Sequence, residues 1–446
     1  MSGIVGINRP NSYERVNEML DKISYRGGKT RHIFSTKYST FGIITNFHTK
    51  EEIEQFEKQN FIMHNLFDIH YAKASEVDSK IKLERDPLGV VPLYFCYVDN
   101  SLYFSSEIKS LIPYTKEIYQ VKPGTTIFDG KVYSNNTIKP PEKFLDDTPD
   151  KISKTLRIKL ENAIKKRIYK DIFGSWLSGG IDSSIITAIS KLYVNKLYTF
   201  FGGIKDSTDL KYAKLLAEHI KSNHIEVIIN LEDILKNLND IIYHLESFDA
   251  YLVRSTLVNY IISKKARDYV EDVFSGEGSD ELFAGYDYLK NLSIDALPQE
   301  LLNITKALSN TALQRVDRSA FGNGLIAHLP FLDPDVVTFA LSIPPHYKIN
   351  NGIEKWILRE ATKDILPEGI LNRRKEKFWQ GAGIKEMISQ YAETKISDSE
   401  FLLNRKLKNG FIIRSKEEYL YYSIFKEHFG ELENFDLLGF TNITNS

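Results

Sequence analysis

Two clusters in this 446-residue chain have the residue types and spacing to handle phosphate chemistry. The first is Ser178-Gly179-Gly180-Ile181-Asp182-Ser183-Ser184. The apolar stretch from Ile172 to Leu177 leads into it as a buried strand, and Ile185 to Ile189 continues it as the first turns of a helix. A strand, a glycine turn and a helix start aim backbone N–H groups and a helix dipole at one point, where an anion is stabilised. Adjacent glycines let the main chain approach phosphate oxygens closely. Asp182 would repel a polyphosphate unless a cation lay between them, so it argues for magnesium as well as phosphate. The second cluster is Ser275-Gly276-Glu277-Gly278-Ser279-Asp280-Glu281. Acids are common at helix N-termini, but that explains one or two carboxylates, not three with interleaved glycines. Asp280 is expected to join Asp182 in holding magnesium, and Glu277 to act as a general base on an attacking amine.

The surrounding pattern says what must position these clusters. From about 151 onward, helices alternate with short apolar strands: a helix over Lys151–Ile168, strands at Leu197–Gly202 and Ile225–Ile229, a helix over Asp209–Ser222, and a strand at Asp272–Gly276. That alternation predicts a parallel α/β sheet, in which ligands bind beyond the C-terminal ends of the strands. Both glycine turns should therefore face one crevice. From about 287 the pattern is mostly helical. Residues 1 to about 135 read instead as short strands with turns, among them Gly3–Ile7, Thr40–Ile44, Leu93–Val98 and Leu102–Phe104. Pro140, Pro141, Asp146, Asp147 and Pro149 mark a linker over 136–150. The expected organisation is a layered, β-rich domain over 1–145 and a parallel α/β domain over 150–446 with a helical extension.

Composition narrows the function classes. Lys and Arg number 58 against 59 Asp and Glu, so no charged face for nucleic acid or a membrane surface is implied. Cys96 is the one cysteine, which excludes an internal disulfide, a cysteine-rich metal site and a two-cysteine sulfur relay. No apolar run approaches the roughly 18 residues of a spanning helix. The N-terminus lacks the basic and apolar blocks of a signal peptide, so the cytoplasm is the expected compartment.

The Ser178–Ser184 turn is no Walker loop. It resembles the pyrophosphatase loop of ATP-dependent ligases that release AMP and pyrophosphate. Together with the Ser275–Glu281 cluster it is similar to asparagine synthetase. The likeness extends through Tyr243–Asp249 with Arg254-Ser255, Pro330-Phe331-Leu332-Asp333, Asn351–Lys355, Leu358-Arg359-Glu360 and Arg373–Phe378 with Gly381 and Gly383. The resemblance implies an ATP-pyrophosphatase domain in which Leu177, Ser178, Gly179, Gly180, Asp182, Ser183, Ser184, Phe201, Ser275 and Gly276 surround ATP. It also implies that Asp182 and Asp280 bind Mg2+, that Glu277 relays a proton from the incoming nitrogen, and that Lys375 stabilises charge on pyrophosphate. Glu281, His328, Glu354 and Lys355 are candidate substrate contacts, and for Glu354 and Lys355 a helix-start salt bridge is an equal reading.

The first half resembles the same family's glutaminase domain, of the N-terminal-nucleophile hydrolase type, through Met1–Ile7, Tyr25–Gly28, Arg85–Gly89, Pro92–Phe95 and Phe104–Ile108. It departs where that chemistry resides. Ser2 stands where the family has a nucleophilic cysteine, and a serine hydroxyl is neither ionised nor strongly nucleophilic near neutral pH. The family's N-G-E-I-Y-N segment is also missing between Phe41 and Phe67. These losses predict an amide ligase that does not hydrolyse glutamine and takes free ammonia, an amine, or ammonia from a separate supplier. Ile326 and His328 replace an acid and an arginine of the family's acceptor tract, and Ala312 replaces an acid before Arg315-Val316-Asp317-Arg318, which weakens the case for aspartate as acceptor. The resemblance leaves open a β-lactam-synthetase-like enzyme, a peptide macrolactam cyclase, a non-catalytic ATP-binding protein, and a homodimer.

Overall fold

A computed structural model describes residues 2–46, 48–66, 69–134, 136–373, 384–433 and 435–441. Lys375 and its neighbours from 374 to 383, and Phe67 and Asp68, lie outside the described residues.

The first part of the chain forms two antiparallel sheets. One has six strands in the order Thr30–Ser35, Thr40–Thr45, Ser2–Ile7, Ser101–Ser105, Tyr94–Val98 and Tyr119–Gln120. The other has five, in the order Lys131–Tyr133, Thr126–Phe128, Lys80–Arg85, His70–Val77 and Phe61–Leu66. Successive strand residues face opposite sides, and here both sides of the Ser2–Ile7 strand are covered. Ile4 joins Phe41, Phe104, Ala72 and Leu83 in one core, while Val5 and Ile7 join a second one with Val16, Met19 and Leu20 of the helix Tyr13–Lys22. The result is a helix–sheet–sheet layering. The expected strands are present, three of them extended by a residue or two and Leu93–Val98 shortened to Tyr94–Val98. A second helix, Lys50–Lys58, starts on a reciprocal capping box between Thr49 and Glu52 and buries Ile53 and Phe56.

No helix or strand lies between Tyr133 and the helix Pro149–Lys165 among the described residues. Thr148 caps that helix, with proline in its first turn. A five-stranded sheet follows, parallel throughout, in the order Asn223–Ile228, Lys196–Gly203, Ile172–Trp176, Asp272–Phe274, Ile326–His328. Thr199 to Gly203 are all buried, as expected of a parallel strand covered on both faces. Strand order reverses direction between Ile172–Trp176 and Asp272–Phe274, so a crevice opens beyond their C-terminal ends. Both phosphate-type clusters leave from these two adjacent strands. The strand Ile326–His328 lies in a stretch whose pattern predicts helix. At three residues, held by pairing to Asp272–Phe274, it is too short to show a period of its own. The helix Ala250–Ala266 is buried nearly all round, which hides its amphipathic signature. Among the described residues no helix is long and apolar enough to cross a membrane.

Candidate active site

The first turn is shaped by its serines before any ligand arrives. Ser178 N–H donates to Ser183 Oγ at 3.3 Å, Gly180 N–H donates to Ser178 Oγ at 3.3 Å, and Ser183 Oγ donates to the Gly180 carbonyl at 3.1 Å. The helix Ile181–Lys191 starts directly on Gly180, with Asp182 in its first turn. Gly276 lets the second turn lie against the first: a side chain there would meet the main chain of Asp182 and Ser183 at 2.7 Å.

Asp182 and Asp280 converge on a single cation. Lys355 Nζ lies 2.5 and 2.6 Å from the two Asp182 carboxylate oxygens and 2.6 Å from Asp280 Oδ1. Lys355 has a left-handed backbone, φ 56°, and reaches this place past Gly285. Any Cβ at Gly285 would collide with the Asp280 carboxylate and the Lys355 side chain. Among the described residues no group of three or more His, Cys, Asp or Glu could hold a metal unaided. The arrangement therefore suits a divalent ion that takes two carboxylates here and its remaining oxygens from phosphate and water. The donors are hard oxygens, and they fit Mg2+.

A cavity of about 390 Å³ opens over these groups. Leu177, Ser178, Asp182, Ser183, Ser275, Gly276, Glu277, Asp280 and Glu281 line it. Gly179, Gly180 and Ser184 shape the turn without lining the cavity. Phe201 is buried elsewhere; its neighbours Phe200 and Gly202 face the cavity instead, the one-residue register shift that strand alternation permits. Glu277 is ion-paired with Arg315. Glu354 is held by Arg359 at 2.9 Å and Lys290 at 3.0 Å and does not line the cavity.

His328 is not brought to the site. It is fully buried beneath the sheet, with its Nε2 2.7 Å from Asp272 Oδ1 and its ring against Phe173 and Phe274. Burial holds its imidazole below the usual value, so it supplies no charge to an acceptor.

Glu281 is a cavity acid whose proton affinity is raised. Burial, then the neighbouring Asp280 charge, push its pKa up to about 7, while Tyr286 Oη–H donates to its carboxylate. The usual value is 4.5, so between pH 4.5 and 7 the folded chain keeps a proton that the unfolded chain has lost, and stability falls as pH rises through that window. Glu281→Gln removes this loss and preserves an acceptor for Tyr286. The variant should match the parent near pH 4.5 and exceed it at pH 8 by up to about 3 kcal/mol, read as a midpoint difference in urea at each pH. A difference that does not change with pH would refute the shift.

Several wall residues carried no signal in the sequence. Tyr251, Asn259 and Ile262 sit on the buried helix Ala250–Ala266, beside Ser255 of the family-like tract, and Phe440 and Thr441 come from the far end of the chain. Thr441 is anchored to Asp249 by its N–H at 3.1 Å and hydroxyl at 3.2 Å, and accepts from Arg414 at 3.1 Å.

In the first part of the chain, Ser2 is fully buried. Its hydroxyl is paired with the Thr45 hydroxyl at 2.8 Å and its carbonyl accepts from Arg26 Nε at 3.1 Å. Arg26 also makes a two-pronged contact with Asp317 at 2.9 and 2.8 Å and pairs with Glu107. Arg318 joins Asp317 at 2.8 Å, Glu107 at 3.2 Å and Glu246 at 3.0 Å. Burial opposes ionisation of Glu107, yet Arg318, Lys109 and Arg26 hold its carboxyl far below the usual range. This network ties the layered sheets to the region around the parallel sheet.

A glycine turn and two carboxylates that share one cation stand at the switch point of a parallel sheet, the place where such folds bind ligands. Similarity to known proteins narrows this. The asparagine synthase family profile matches residues 155–302 and 293–438. Asparagine synthetase B [glutamine-hydrolyzing] of Escherichia coli (strain K12) is 33% identical over 381 residues, covering 80% of this chain and 68% of that protein. The Homo sapiens asparagine synthetase [glutamine-hydrolyzing] is 34% identical over 403 residues, covering 79% and 71%. The NMN synthetase structure from Francisella tularensis aligns with a TM-score of 0.29 at 16% identity, over 64% of this chain and 98% of that one. The chain belongs to the asparagine synthetase family. Its class is that of ATP-dependent ligases that form amides.

Proposed function

We propose that this protein joins a carboxylate, aspartate or a related acid, to ammonia or an amine by an AMP-forming route that does not use glutamine. The observation that carries the reading is the convergence of Asp182 and Asp280 on one cation beside the Ser178–Ser184 turn. In the first step an oxygen of the acid forms a bond to the α-phosphorus of ATP. The bond to the bridging oxygen breaks, and pyrophosphate leaves with the electron pair. Mg2+ held by Asp182 and Asp280 would neutralise charge on the phosphates. The turn's N–H groups and the serine hydroxyls orient the phosphate chain, and Lys375 is assigned to the leaving pyrophosphate. In the second step nitrogen attacks the activated carbonyl, AMP leaves, and the surplus proton passes to a carboxylate. Glu277 is the assigned acceptor, and Glu281, whose proton affinity lies near neutrality, stands on the same wall.

Independence from glutamine is supported by Ser2. Its hydroxyl is buried and paired with Thr45, and a serine hydroxyl is a weaker nucleophile than a cysteine thiol. The layered sheets then act as a covering scaffold. Incubation with ATP, Mg2+, an acid and either ammonium or glutamine tests this. Product should form with ammonium alone, with no glutamate released from glutamine. Ser2→Ala should change the ammonium-driven rate by less than about twofold. Glutamate released at the rate of turnover would refute the reading.

A further inference from the structure

The acceptor end of the cavity has a chemistry that aspartate does not match. Aspartate carries a second carboxylate, which calls for a cation, ideally a two-pronged guanidinium. Arg315 is the one basic residue among the described residues that line the cavity, and it is paired with Glu277. His328, at the position of the family's arginine, lies under the sheet on Asp272. Beside Arg315, which is paired with Glu277, Lys355 is shared by Asp182 and Asp280, so both nearby cations are already engaged by carboxylates of the protein.

What the wall offers instead is apolar surface. Tyr286 and Tyr288 stack with ring centroids 6.3 Å apart. Their hydroxyls are taken by Glu281 and by Glu300, the latter at 2.7 Å, so their rings are what remains for a ligand. Ile304, Leu308 and Phe440 complete the wall. Phe440 is fixed against Phe411, centroids 4.6 Å apart, by a segment whose next residue, Thr441, is anchored on Asp249. Pockets of this kind bind through apolar burial, with a few polar groups setting orientation.

We propose that the acceptor is a monocarboxylic acid with an apolar or aromatic body, seated among Tyr286, Tyr288, Ile304, Leu308 and Phe440. This rests on the reading of the site as one that adenylates a carboxylate. The acid's single carboxylate faces the phosphates and the cation held by Asp182 and Asp280, and its body fills the aromatic end.

The test is exchange of labelled pyrophosphate into ATP by the full-length protein with Mg2+. 3-Phenylpropionate, hexanoate and aspartate are supplied in turn. Both apolar acids should exceed aspartate in kcat/KM by about tenfold or more. Phe440→Ala should raise KM for 3-phenylpropionate by about tenfold and leave the dissociation constant of ATP unchanged, which also shows that the variant is folded. Preference for aspartate, or an unchanged KM in Phe440→Ala, overturns the acceptor assignment while leaving adenylation intact. Absence of exchange with every acid, aspartate included, with ATP still bound, overturns the adenylation reading and the acceptor assignment with it.

Discussion

Asp280→Asn and Asp182→Asn should each lower pyrophosphate release by at least about a hundredfold, with the fold retained. The two carboxylates approach within reach of one ammonium, at 2.5–2.6 Å. A pair this close is costly unless a cation lies between them, and in the absence of a metal Lys355 supplies it. Asp182 and Asp280 would hold Mg2+ in the presence of ATP, and the ion would supply positive charge to the phosphates. Asparagine keeps the shape of the side chain and one oxygen but forfeits the charge, so the loss falls on phosphate neutralisation rather than on packing. The check is initial rate of pyrophosphate release over a range of Mg2+ concentrations, with urea midpoints as the control. The two variants should lose activity to similar extents, and the double variant should lose little more, because the pair acts as one unit. A single variant with near-parental turnover would remove the shared-cation account.

Arg26→Ala should be the most destabilising single change in the first part of the chain, by about 3–5 kcal/mol. Arg26 is fully buried between Glu107 and Asp317, with its Nε on the Ser2 carbonyl. Removal takes a guanidinium away from two buried carboxylates. Nearby Arg318 contacts both, but it is shared with Glu246 and cannot replace the lost guanidinium in full. Arg26→Lys should recover less than half of the loss, since an ammonium cannot reproduce the two-pronged contact with Asp317. Urea unfolding followed by near-ultraviolet circular dichroism reads the difference. The transition is expected to split as the layered sheets come loose from the rest. A loss below about 1 kcal/mol would show that Arg318 compensates.

How far the sequence revealed this molecule depends on the residue type involved. Ser178–Ser184 and Ser275–Glu281 were legible as strand-to-helix turns beside one crevice because glycine, hydroxyl and carboxylate fall there in tight spacing. The strand–helix alternation that placed them at neighbouring strand ends was equally clear. The acceptor wall was not legible. Tyr251, Asn259 and Ile262 lie on a helix buried nearly all round, so no periodicity distinguishes the face that turns to the cavity. Phe440 reaches it only through the packing of the last described segment. Phe200 rather than Phe201 faces the cavity because a strand alternates, and two consecutive phenylalanines give no sign of register. His328 read as a substrate residue from its place in a motif. Its strand, Ile326–His328, pairs with Asp272–Phe274, and that pairing turns the imidazole toward Asp272. Arg26, Glu107, Glu246, Asp317 and Arg318 stood out in the sequence as family-like tracts, and they prove to be the cement between two parts of the fold. Arg85 likewise donates to three main-chain carbonyls, of Gly89, Val91 and Val121.

The most direct test of the central claim is the identity of the phosphorus products. 31P NMR of a reaction containing the full-length protein, Mg-ATP, ammonium and 3-phenylpropionate or aspartate should show AMP and pyrophosphate rising together in equal amounts. ADP and inorganic phosphate in their place would contradict an attack at the α-phosphorus and, with it, the role given to the paired aspartates.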